Sequence, residues 1–83
     1  MKGTIHKMNK IHGVIEDLVI YKSNGDIYKG QQACIPSKVT LGTDSVIDTN
    51  IGPIQLKNIF NVDCKNRKLL IECDNCFVIF LPN

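Results

Sequence analysis

The chain has 83 residues, a formal net charge of +2 and an apolar share of 43%; this bounds it to one domain with one core and argues against disorder. The charge is too small to suggest a dedicated nucleic-acid or membrane binder. With no tryptophan and few aromatics, the core must be assembled from Ile, Leu and Val.

Residues 1–12 form the first predicted unit. Lys2, Lys7 and Lys10 stand there with His6 and His12. Ile5, Met8 and Ile11/His12 fall at helical spacing between Gly3 and Gly13, so a basic arm or a short helix is expected. From Gly13 onward seven basic residues face eight acidic ones, so residues 13–83 form a near-neutral second unit, predicted as a single β domain.

The β character begins with Val14-Ile15 and Leu18-Val19-Ile20-Tyr21. Asn24-Gly25, inside Ser23–Asp26, is the strongest hairpin signal, because both residues accept positive φ. The return strand is predicted at Ile27-Tyr28-Lys29, with Gly30 as a bulge, fading into Ala33-Cys34-Ile35. Pro36 ends that strand or places it on an edge. Lys38–Leu41 and Val46–Thr49 are the next predicted strands, with Gly42-Thr43-Asp44 as the turn between them. Asn50–Pro53 forms a further turn. Ile54–Leu56 and Ile59–Val62 alternate apolar and polar residues, and Asp63–Arg67 carries a reversal. Lys68–Leu81 closes the chain as two apolar strands around Asp74-Asn75.

Short strands with turns every 8–12 residues predict an all-β fold. The expectation is a small partly open barrel or a compact sandwich of six to eight antiparallel strands, with the short N-terminal arm or helix attached. NGDIYKG, then VTL, then PIQLKNI resemble the strand rhythm of small SH3-like or Sm-like barrels over about half the chain. The resemblance is one of rhythm, without a shared motif.

Cys73-x-x-Cys76 is the one motif that carries chemistry. In a two-residue hairpin the two cysteines oppose each other and share a face with Leu69, Ile71, Val78 and Phe80. That face is apolar, so two reduced core thiols are the first expectation. The alternative is a zinc knuckle, completed from Cys64, Cys34, His6 or His12. A redox pair fits less well, since no helix N-terminus is at hand to stabilise a thiolate. Direct opposition would also permit a strained cross-strand disulfide under oxidation.

No nucleophile elbow, carboxylate pair or phosphate loop accompanies this motif. The chain is therefore expected to be non-enzymatic and to need no cofactor. The closing strand offers another clue. Phe77, Ile79 and Leu81 lie on the face opposite the cysteines, beside Leu70, so both faces of this strand are apolar. Such a second face needs a cover, and a protein partner or a second copy of the chain is the expected one.

The alternative partner is nucleic acid, held by Lys2, Lys7, Lys10, Lys22 and Lys29 with Tyr21 and Tyr28 as a cross-strand stacking platform. A small ligand between barrel strands is a third reading. No stretch approaches the ~18 apolar residues of a spanning helix and no apolar leader is visible, so a cytoplasmic chain with reduced cysteines and no membrane partner is expected. Nine lysines against one arginine, with abundant Asn and Ile, suggest AT-rich coding. A bacterial or phage protein that blocks a host factor would suit that signature.

Overall fold

The computed structural model describes residues 10–23 and 26–83. The predicted arm, with Lys2, His6 and Lys7, and the Asn24-Gly25 pair lie outside these residues. Seven strands follow in chain order: β1 (Lys10–Ile20), β2 (Gln32–Pro36), β3 (Ser45–Thr49), β4 (Gly52–Leu56), β5 (Ile59–Lys65), β6 (Lys68–Cys73) and β7 (Cys76–Pro82). They make one antiparallel sheet in the order β4-β3-β2-β1-β7-β6-β5. The chain is thus all-β, as its turn spacing predicts.

The order describes two meanders, β1 to β4 and β5 to β7, joined through β1 and β7 at the centre. Ile15 and Leu18 from β1, Ala33 and Ile35 from β2, and Ile47, Ile54 and Leu56 from β3 and β4 belong to one buried cluster. So do Ile59, Ile71, Cys73, Cys76, Val78 and Phe80 from the other meander. A flat sheet could not gather both ends into one cluster. The sheet therefore curls, and the β2–β3 loop reaches the edge strand β5, where Gly42 N–H donates to the Ile59 carbonyl at 2.7 Å and Ile59 N–H donates to the Thr43 carbonyl at 2.9 Å. These two bonds give the partly open barrel its short seam.

The last hairpin matches its predicted register. Leu69 pairs with Phe80, Leu70 with Ile79, Ile71 with Val78 and Glu72 with Phe77. Asn75 ties this turn to its surroundings: its Oδ1 accepts from Lys57 N–H, its Nδ2 donates to the Gln55 carbonyl, and its own carbonyl accepts from Tyr21 N–H.

Five local expectations need correction. β1 opens at Lys10 and pairs Lys10–Val14 with β2, so residues 10–12 belong to the sheet. Ile27-Tyr28-Lys29 is no return strand: Asp26–Tyr28 is a 3-10 turn, and Tyr28 packs against the core. The physical reason is Gly30, whose φ of 82° turns the chain. Its N–H donates to the Ile15 carbonyl, and Ile15 N–H donates to the Gln31 carbonyl. β2 is thereby aligned only with the first half of β1. Lys38–Leu41 is irregular; the alternation there reflects Val39 packing on the core while Leu41 stays exposed. Finally, β5 continues through Lys65, which shortens the next reversal to Asn66-Arg67, both at positive φ (54° and 64°). The β3–β4 turn likewise shrinks to Asn50-Ile51, leaving Gly52 and Pro53 in β4, an edge strand that tolerates proline.

Gly13 has a reason that the sequence did not disclose. A Cβ built there would lie 2.1 Å from the Leu81 carbonyl oxygen and 2.8 Å from Phe80 Cζ. Glycine lets β1 pass beneath the end of β7.

Candidate functional site: the outer face of the sheet

Alternation along β7 sends Cys76, Val78 and Phe80 into the core and leaves Phe77, Ile79 and Leu81 half-buried on the other side. Their neighbours extend the outer stripe. Val14 pairs with Leu81 and Val19 with Phe77 on β1, and Leu70 pairs with Ile79 on β6. Bulges at Glu16-Asp17 in β1 and at Phe60-Asn61 in β5 interrupt the registers on either side. Phe60 is more than half exposed and so is Tyr21. The structure therefore brings Leu70, Phe77, Ile79 and Leu81 together as one face, and adds Val14 and Val19 to it.

Charged side chains strap this face. Lys68 Nζ on β6 lies 3.0 Å from Glu16 Oε1 on β1. With β7 between those strands, the two side chains must reach over it, a span of roughly 10 Å at ordinary strand spacing. Lys29 Nζ also sits 3.3 Å from Asp17 Oδ1. The aliphatic stems of such residues cover apolar surface while their heads stay wet. The Tyr21 phenol is held above its ordinary range, first by desolvation and then by nearby Cys73 and Glu72, and its backbone N–H donates to the Asn75 carbonyl in the β6–β7 turn.

The cysteine motif takes its core form. Cys73 and Cys76 are fully buried, with their Sγ atoms 3.4 Å apart and Cys73 Sγ donating to the Cys76 carbonyl at 3.0 Å. Burial, then the hydrogen bond and charge of Cys73, push the Cys76 thiol up to about 12; both thiols are free. The four cysteines do not converge. Ile59 pairs with Cys73, whereas Cys64 is paired with Leu69 toward the other end of β5, roughly 15 Å along the strand. Cys34 lies on β2, in the other meander. Among the described residues no three His, Cys, Asp or Glu side chains are grouped to hold a metal ion.

The described residues of the nucleic-acid reading are scattered. Tyr28 packs on the core beside β1 while Tyr21 is exposed, so the predicted cross-strand tyrosine platform does not form. Lys10 is paired with Asp48 at 3.0 Å and Lys29 with Asp17; Lys22 lines a cleft with Tyr21, Lys57 and Asn75.

One arrangement escaped the sequence reading altogether. His12 and Cys34 are directly opposed across β1 and β2, and Cys34 Sγ is 3.0 Å from His12 Nδ1. No sequence signal fixes this, because the two residues are brought together only by the β1–β2 register.

Compared with protein-family models, curated proteins and solved structures, the chain matches none of them. No helix among the described residues is long and apolar enough to cross a membrane.

Proposed function

We propose that the protein is a non-enzymatic interaction module that docks a protein partner, or a second copy of itself, on the outer face of β1, β7 and β6. The observation that supports this is the double apolarity of β7. Its inner residues fill the core, and Phe77, Ile79 and Leu81 still present a second apolar row. A sheet strand with one solvated face ordinarily alternates apolar and polar residues. An apolar stripe flanked by exposed ion pairs suits docking, because a partner can displace the charged side chains and bury the apolar row.

The test is native mass spectrometry of the untreated chain, followed by affinity capture with wild-type, Phe77→Ser and Ile79→Ser baits. The self-docking form predicts a multimer that both substitutions dissociate. The partner form predicts a monomer that captures a specific protein, with the retained amount falling at least about tenfold on either substitution, as for a central anchor. Binding should change little between low and moderate salt. Oligonucleotide binding that weakens steeply with salt would instead identify phosphate contacts and sink the proposal.

A further inference from the structure

On the same face of the sheet, beside Val14 at the border of the apolar stripe, a cleft of about 270 Å³ lies across β1, β2 and β3. His12, Gln32, Cys34, Asp48, Thr49 and Asn50 are among the residues that line it. We propose that Cys34, served by His12 as base, is a reactive thiol that forms a mixed disulfide with a low-molecular-weight disulfide of the glutathione class.

Three observations converge. The first is geometric: Sγ and Nδ1 are 3.0 Å apart, the nucleophile–base spacing at which an imidazole accepts a thiol proton. The pair is held by two neighbouring strands of the ladder, so the approach is preorganised by backbone. The second is access. Cys34 is half-buried and His12 exposed, and the cleft beside them has amide and hydroxyl groups from Gln32, Asn50 and Thr49 suited to a peptide-like ligand. The third is contrast within the chain. Cys73 and Cys76 are sealed in the core, and Cys64 is exposed with the one described imidazole committed to Cys34 instead.

His12 Nδ1 takes the Sγ proton as Sγ attacks one sulfur of the small disulfide. The S–S bond of that disulfide breaks, a new S–S bond joins Cys34 to one half, and the other half leaves as a thiolate. The imidazolium returns its proton to this leaving group. Cys34 is oxidised and one small thiol is released in reduced form. Among the described residues, the charged groups beside the pair are Asp48 on β3 and Lys10 on β1, which are bonded to each other at 3.0 Å. The imidazole is therefore the group left to move the proton.

The experiment treats the full chain with oxidised glutathione and follows intact mass, with peptide mapping to locate the product. One glutathionyl group per chain on Cys34 is expected, with Cys34→Ser abolishing it and Cys64 reacting about tenfold more slowly. His12→Gln should slow the Cys34 reaction about tenfold, less than a positioned base can supply because water also accepts the proton. It should also change the shape of the pH–rate profile, which a purely structural role for His12 would leave as it is. His12 is exposed, and circular dichroism checks that the variant folds. Modification of Cys64 at an equal or higher rate, or an unchanged rate and pH profile in His12→Gln, would overturn the proposal.

Discussion

Replacing Gly13 by alanine adds a single methyl group at the point where β1 passes under β7. The Cβ would stand 2.1 Å from the Leu81 carbonyl oxygen, 2.9 Å from its carbon and 2.8 Å from Phe80 Cζ. Two of these three atoms are backbone, and Phe80 is fully buried, so no flexible side chain can simply swing away. Overpacking of this kind costs about 1–3 kcal/mol, and contact with backbone argues for the upper end. Gly13 is not among the glycines with positive φ, so alanine would also restrict the unfolded chain and return about 0.4–1 kcal/mol. The net expectation is a loss of about 2 kcal/mol, or roughly 10 °C in midpoint for a domain of this size. Urea unfolding with the slope held as a check on two-state behaviour measures it. Gly30→Ala is the control: no atom lies within 4 Å of the added Cβ, and the φ of 82° limits the cost to backbone strain, about 1 kcal/mol. A Gly13→Ala protein within ~0.5 kcal/mol of wild type, inside the usual spread for harmless substitutions, would refute the close-approach argument.

Two further outcomes are expected. Arg67 occupies a left-handed position (φ 64°) after Asn66 in the β5–β6 turn; Arg67→Gly should stabilise by about 0.5–1 kcal/mol in thermal unfolding, since Asn-Gly is the favoured pair in such turns. The Cys76 thiol is raised from 9.0 to about 12 in the fold. The unfolded chain therefore releases this proton first, so the contribution is intact below pH 9 and is lost as pH rises from 9 toward 12, by at most ~1.4 kcal/mol per pH unit. Denaturation series in that range should show a shallower alkaline decline in Cys76→Ala than in wild type; parallel declines would remove Cys76 from the account.

The parts of the fold that were legible in the sequence are those set by local signals. Asp74-Asn75 between two β-rich runs fixed a hairpin, and period-two alternation then fixed which residues faced the core. The first hairpin misled for a physical reason. Ile27-Tyr28-Lys29 has the composition of a strand, but the left-handed Gly30 and its bonds to Ile15 decide where β2 begins. These are tertiary choices that composition does not register. The apolar stripe was visible as an excess of apolar residues along β7, whereas the straps over it were not, since Glu16 and Lys68 are far apart in the chain. The His12–Cys34 pair was hidden twice over: His12 read as part of an arm, and Cys34 as a spare ligand for a distant zinc knuckle.

The central position of β1 against β7 governs how the domain can come into being. Each meander is built from neighbouring strands and closes short loops, which is quick. The ladder from Gly13–Pro82 to Ile20–Cys76 must instead wait until β7 has been made, and it bears the entropy of the longest closure among the strand pairs. On the ribosome, the β1–β4 meander emerges with one side of β1 unpaired, an open edge of the kind that invites wrong partners. Only when β7 has been made does that edge find its complement, so β7 joins the two halves into one sheet.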